Sequence, residues 1–152
     1  MIIPGGESTT LLKLIYDNNL LESILTFAKR KPVWGVCAGS ILMAMHVDNP
    51  PQESLGLVPI RVRRNAYGRQ NESFIVEFQL NLPGGPPILQ EGVFIRAPRV
   101  VEWKEDVAVI AEYEENPVAL KYGQYLITTF HPELSESPAM HRYFLSLCTA
   151  GE

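Results

Sequence analysis

The sequence predicts an α/β protein: a three-layer sandwich with a mostly parallel central sheet, a β-rich extension and helices on both faces. Three observations predict it. Short apolar runs alternate with helical periodicity over the first third of the chain. A series of short strands follows, closed by one amphipathic segment. The segments that carry candidate chemistry each stand just after an apolar run, and in such sheets ligands sit at the carboxyl ends of strands. With 152 residues, 46% hydrophobic and 20% charged, one domain over residues 1–152 is expected, with material for one sizeable core.

The elements follow in order. Met1 to Ile3 reads as the tail of a strand, broken by Pro4-Gly5-Gly6. Ser8 is expected to cap a helix with Leu11, Leu12, Leu14 and Ile15 at its apolar positions. A second helix starts near Leu20, buries Leu21, Ile24, Leu25 and Ala28, and stops at Pro32 after Lys29, Arg30 and Lys31. Val33 to Val36 is a short strand. Cys37-Ala38-Gly39 turns into a helix carrying Ile41, Leu42, Met43 and Met45. Asp48 to Ser54 is a loop. Leu57 to Val62 and Phe74 to Leu80 are strands, the second with Phe74, Val76, Phe78 and Leu80 on one face. Residues Pro83 to Pro87 form a turn or surface loop. Gly92 to Ile95, Val107 to Ala111, Val118 to Tyr122 and Tyr125 to Thr129 are further strands, and Ala139 to Leu147 is a last helix.

The balance of charge excludes some functions. A net charge of -4 disfavours nucleic acid and anionic membranes, which need clustered positive charge. The one basic cluster, Arg61, Arg63, Arg64 and Arg69, suits a small anion, a partner protein or a solvated strand edge. Two cysteines do not build a disulfide scaffold, so a reducing compartment fits. The N-terminus has no signal-peptide pattern and no apolar run spans a bilayer. A cytoplasmic protein is expected. Three histidines and two cysteines show no metal-ligand spacing, so neither metal nor cofactor is expected.

Three motifs carry chemistry. Gly35-Val36-Cys37-Ala38-Gly39 lies between strand and helix, the cysteine form of a nucleophile elbow. The turn is tight, the flanking glycines relieve crowding, and the helix N-terminus favours thiolate. The Ala38 amide would point at a developing oxyanion. An isolated cysteine would read as inert core; the two glycines bring the readings level. Phe130-His131-Pro132-Glu133 supplies a base and a group to hold its tautomer. In an extended segment, residues two apart share a side. His46, placed on the helix after Cys37, and His141, on the last helix, are expected on solvated faces. Pro4-Gly5-Gly6-Glu7-Ser8-Thr9-Thr10 lacks the lysine of a P-loop and the Gly-x-Gly-x-x-Gly of a dinucleotide site. Its glycine amides can meet a carboxylate or an oxyanion; taken alone it is an ordinary strand-to-helix turn.

Together these motifs resemble a class I (triad) glutamine amidotransferase. Two narrower stretches, Arg64-Asn65-Ala66-Tyr67-Gly68-Arg69-Gln70 and Phe94-Ile95-Arg96-Ala97-Pro98, make the chain similar to the SNO family, the glutaminase subunits of pyridoxal 5′-phosphate synthase. The resemblance spans nearly the whole chain. It implies Cys37 as nucleophile, His131 as base and Glu133 as its orienter. It implies a glutamine site of Gly6, Glu7, Ser8, Arg64, Ile95 and Arg96, and an oxyanion hole of Gly6 and Ala38. It implies hydrolysis of L-glutamine to L-glutamate and ammonia through a cysteine thioester. The ammonia would pass to a pyridoxal 5′-phosphate synthase subunit of the PdxS/SNZ type, a dodecamer carrying glutaminases on its outside, for vitamin B6 synthesis. Val36 and Ser40 stand where the family usually has Thr and Leu, and Arg99 where it often has His. The family begins with a strand and helix carrying Leu-Gln-Gly, so the resemblance implies that this chain is N-terminally incomplete, with the first strand-helix unit missing. Two other readings follow: a catalytically impaired binding or regulatory module of the synthase complex, and a cysteine peptidase, against which the glutamine-site motifs argue.

Overall fold

The computed structural model describes residues 1–66 and 73–150. Tyr67 to Gln70 of the arginine motif, and with them Arg69 of the basic cluster, lie outside the described residues. The main sheet has seven strands. At its parallel end lie β1 (Ile2–Ile3), β2 (Val33–Val36) and β10 (Tyr125–Thr128), with Ile2 opposite Trp34 and Thr128 opposite Val36. Beyond β10 every pairing is antiparallel, through β9 (Asn116–Tyr122), β8 (Ala108–Tyr113), β5 (Ser73–Leu80) and β6 (Ile88–Ile95). The sheet is therefore mixed: a parallel segment at one end, continued by the β-rich extension. A second, three-stranded sheet joins β3 (Ala44–Asp48), β4 (Val58–Arg63) and β7 (Arg99–Trp103).

The alternation of side chains across the strands creates two cores. Val33, Leu120 and Ile127 point to one face. There they pack with Leu12 and Ile15 of helix α1 (Ser8–Asp17), Ala28 of α2 (Leu21–Ala28), Ile41 and Leu42 of α3 (Ala38–Met43), and the small sheet's Val58, Ile60 and Val62. Trp34, Val36, Ala119 and Leu126 point the other way, against Phe78, Phe94, Phe130 and the residues Met140 and Phe144 of α4 (Ala139–Thr149). Trp34, Phe94 and Phe130 are fully buried, and each such side chain contributes about 1.5–3 kcal/mol. Trp34 also donates its indole N–H to Thr128 Oγ1 at 3.1 Å, so the polar handle of a buried aromatic is satisfied. No described helix is long and apolar enough to cross a membrane.

The structure corrects several expectations. Helix α3 stops at Met43, and Met45 and His46 lie in β3. The reason lies outside the helix: Leu55 N–H donates to Leu42 O, Leu57 N–H to Met43 O, and the Ser54 hydroxyl to Ala44 O. A returning loop satisfies the last carbonyls, so a further turn has nothing to gain. Strand β7 was not anticipated; it is short, has charged residues near both ends, and is specified by pairing with β4. Ser8 is not the cap of α1. Glu7 is, accepting from Thr9 N and Thr10 N, while Ser8 is buried and donates to Gln52 Oε1 at 2.7 Å. His141 is half-buried, its ring packed edge-on against Trp34 at 5.1 Å.

Gly39 joins α3 to β1. A Cβ there would lie 2.1 Å from the Ile3 carbonyl oxygen, a backbone atom that cannot rotate away. Gly39→Ala should destabilise the protein by about 3 kcal/mol, as overpacking does; urea unfolding followed by circular dichroism measures it, and a change under about 0.5 kcal/mol would show that β1 yields instead.

Candidate active site

Three adjacent parallel strands end at the same edge of the sheet, and each hands one candidate group to that edge. Strand β1 runs into Gly5 and Gly6, β2 into Cys37, and β10, through Thr129 and Phe130, into His131. The Cys37 N–H donates to Thr128 O at 2.8 Å, which extends the β2–β10 pairing to the cysteine itself. Cys37 then adopts φ 49° and ψ -105° before α3 begins. That is strained for a residue with a Cβ, and it is the sharp strand-to-helix turn that presents a nucleophile. Ser40 donates its hydroxyl to Cys37 O at 2.6 Å and holds the turn from inside the helix.

Gly5 is the contact between the two other strand ends. A Cβ on it would lie 2.6 Å from His131 Cε1 and 3.6 Å from Cys37 Cβ. Imidazole and cysteine therefore close on the same bare backbone, which only glycine allows. His131 is largely enclosed, with 12% of its side chain exposed, and its Nδ1 lies 2.7 Å from Glu133 Oε1. That contact leaves Nε2 as the nitrogen available for chemistry. The pair does not come from an extended segment, as the spacing suggested. Residues Pro132–Leu134 form a 3-10 turn that His131 caps, and the turn brings Glu133 back under the ring.

The thiol is the less expected part. Burial pushes the Cys37 thiol up to about 11, and that effect outweighs the lowering hydrogen bond from the Ala38 amide; Glu133 adds a smaller upward push. A six-residue helix end does not offset the burial, so the anticipated thiolate is not the resting form. The Sγ also faces the Ile95 carbonyl at 3.8 Å, which suits an S–H donor.

Beside this edge lies a cavity of about 210 Å³, lined by Gly6, Glu7, Ser8, Ile41, Arg64, Asn65, Arg96 and Pro98. It is smaller than the roughly 300–1,000 Å³ of sites for drug-sized ligands, and suits one small polar molecule. Arg64 and Arg96 give it positive character, which fits a carboxylate. The structure thus brings together Gly6, Glu7, Ser8, Arg64 and Arg96. Ile95 meets the site through its carbonyl, while its side chain points outward and is 40% exposed. Glu7 is committed elsewhere. Its carboxylate accepts from the Thr10 hydroxyl and amide at 2.7 Å, from the Thr9 amide at 3.2 Å and from the Thr9 hydroxyl, and it pairs with Arg64 Nη2 at 3.3 Å. The Thr9 and Thr10 hydroxyls hold it well below the usual range, at about 2. Its side chain is thus taken up by Arg64 and by the start of α1. Gly5, Ile41, Asn65 and Pro98 were not singled out as site residues. Only Gly5 carried a readable signal, as part of the glycine loop. Among the described residues no cluster of His, Cys, Asp and Glu could hold a metal ion.

Comparison with known proteins places this geometry. The profile of the SNO glutamine amidotransferase family matches residues 1–150. The pyridoxal 5′-phosphate synthase subunit PdxT of Solibacter usitatus is 46% identical over 96% of this chain and 78% of its own length. That of Thermosipho africanus is 45% identical over 97% of this chain and 77% of its own. A crystal structure of a glutamine amidotransferase superposes with TM-score 0.86 at 39% identity, covering 97% of this chain and 77% of that one. A glutamine amidotransferase from Thermotoga maritima shares the fold alone, with TM-score 0.59 at 17% identity over 95% of this chain and 60% of that one.

The buried thiol generates a prediction. In a Cys148→Ser background, alkylation of Cys37 by iodoacetamide should accelerate with pH toward an inflection near 11, well above the roughly 8.5 of a free cysteine. The same shift makes the thiol's contribution to stability present below about pH 9 and lost as pH rises through about 11. An inflection below about 8.5 would mean that the Ala38 amide and the helix end outweigh burial.

Proposed function

The chain belongs to the SNO glutamine amidotransferase family, and on that premise we propose that it is the glutaminase subunit of a pyridoxal 5′-phosphate synthase, acting as a single domain over residues 1–152 in the cytoplasm. The observation that carries this reading is the convergence of Gly5, Cys37 and His131 at the ends of three adjacent parallel strands, beside an arginine-lined cavity.

The chemistry follows from the positions. A glutamine enters the cavity with its α-carboxylate toward Arg64 and Arg96 and its backbone contacts along Gly6, Glu7 and Ser8. Its carboxamide lies over Cys37, beside the Ile95 carbonyl. His131 takes the thiol proton, and Sγ attacks the carboxamide carbon. The amides of Gly6 and Ala38 receive the oxyanion. His131, now an imidazolium steadied by Glu133, protonates the leaving nitrogen, and ammonia departs from a glutamyl thioester. Water, deprotonated by His131, attacks the thioester, releasing glutamate and restoring the thiol. The ammonia passes to a synthase subunit of the PdxS/SNZ type, assembled as a dodecamer. No cofactor enters these steps.

The high thiol pKa favours a chain that is idle until a substrate or partner changes the surroundings of Cys37. It also keeps a second reading in view, a binding module that docks on the synthase without turnover. Ammonia release from glutamine, measured with the synthase subunit present, separates the two. Cys37→Ala should lower it by at least about 1,000-fold, and equal rates in the two proteins would end the glutaminase reading.

Gly5 gives a subtler test. Gly5→Ala forces His131 aside by its contact with Cε1. It should leave the fold intact and lower kcat on the order of 100-fold, the cost of misplacing a catalytic group by about 1 Å. Near-normal kcat would show that the imidazole has another seat.

A further inference from the structure

We propose that the outer face of the β5–β6 hairpin is where the ammonia-accepting synthase subunit docks, through an apolar segment that carries a lysine or arginine. This rests on the reading above that the chain works with such a subunit.

The hairpin has two unlike faces. Inward, Phe78, Leu80, Gln90 and Phe94 are buried. Outward, Ile75 is 64% and Leu89 63% exposed, and Ile95 and the half-buried Val93 extend the same face. The register sets Ile75 opposite Val93 and Gln79 opposite Leu89. Among the described residues strand β6 has β5 as its one neighbour and forms the edge of the sheet. A branched apolar face on an edge strand is the surface that folded proteins usually cover or blunt.

In its centre Glu77 stands directly opposite Glu91. Opposed Cβ atoms in such pairs lie about 4.5–5.5 Å apart, and like charges there repel. Neither carboxylate has an ion-pair partner among the described residues. One cation placed between them turns the repulsion into two charge-assisted contacts. A second copy of this chain would instead set carboxylates against carboxylates. The face therefore asks for a basic side chain flanked by apolar ones.

The edge of the same strand away from β5, and its inward Gln90, are tied to the catalytic groups. Val93 O accepts from His131 N–H at 2.8 Å, Ile95 O faces Cys37 Sγ at 3.8 Å, and Gln90 Nε2 donates to Ser135 Oγ at 3.3 Å, two residues beyond Glu133. A partner gripping the outer face holds the strand that these three contacts share.

The test is the affinity of this chain for its cognate synthase subunit, by isothermal titration calorimetry at low and moderate salt. E77Q/E91Q removes the charge and the internal repulsion, so the hairpin stays folded. It should weaken binding on the order of tenfold and flatten the salt dependence, and E77K/E91K should weaken it on the order of 100-fold. Met45→Asn, on the exposed side of the small sheet, should change nothing. Hairpin variants that bind as tightly as the unsubstituted chain, with the same salt dependence, would mean that the glutamates only blunt the edge, and would overturn the proposal. Self-association in sedimentation, abolished by Ile75→Asn, would give the face to a second copy instead. No binding by the unsubstituted chain would remove the partner reading itself, and this surface with it.

Discussion

Everything at this site depends on how closely three parallel strands approach one another at their carboxyl ends. The approach is set by backbone, not by side chains. Gly39 lets the start of α3 lie on the Ile3 carbonyl, the Cys37 amide bonds to Thr128 O, and Gly5 leaves room for the His131 ring. Each of these contacts would be broken by one added methyl or one lost amide. The buried aromatic layer of Trp34, Phe94 and Phe130 then makes the arrangement rigid. Close-packed interiors resist deformation, so the three ends keep their spacing.

Much of this was legible in the chain, for reasons that can be named. Strand β2 was readable to the residue, because Val33, Trp34 and Val36 stand between a proline and the Gly-flanked cysteine. The inward face of β5 was readable from strict alternation. The turn at Cys37 and the pairing of His131 with Glu133 were readable because turn chemistry marks them locally. What failed was local reasoning about things decided at a distance. The end of α3 is set by carbonyls that residues 54–57 satisfy. Strand β7 is specified by pairing with the edge of β4 that β3 leaves open. Glu7 outcompetes Ser8 as cap because a carboxylate can accept from several Thr9 and Thr10 donors at once, and Ser8 has a buried partner in Gln52.

The electrostatics show the same limit. A cysteine at a helix N-terminus suggests a thiolate, and the sequence says nothing about how deeply it is buried. At Cys37 the burial wins, with the Ala38 amide opposing it. Glu7 is the opposite case. It is a half-exposed carboxylate, yet four donors from two threonines hold it ionised, because hydrogen bonds to the charged form lower a pKa wherever they are made. The site therefore pairs a fixed charge array at the cavity, Glu7 with Arg64, with an uncharged thiol at the strand ends.

That pairing has a consequence for how such a site is switched. The cavity side is complete without help: its ion pair is formed and its helix is capped. The strand-end side is not, since burial keeps its thiol protonated and its histidine is aligned by one carboxylate. Only the second can respond to a modest change in surroundings. The strand that reaches it from outside is β6, whose carbonyls at Val93 and Ile95 face His131 and Cys37. Those two carbonyls touch the thiol and the imidazole segment together, whereas Glu7 is held by Thr9, Thr10 and Arg64. The charged cavity and the thiol–imidazole pair thus occupy different parts of one sheet edge.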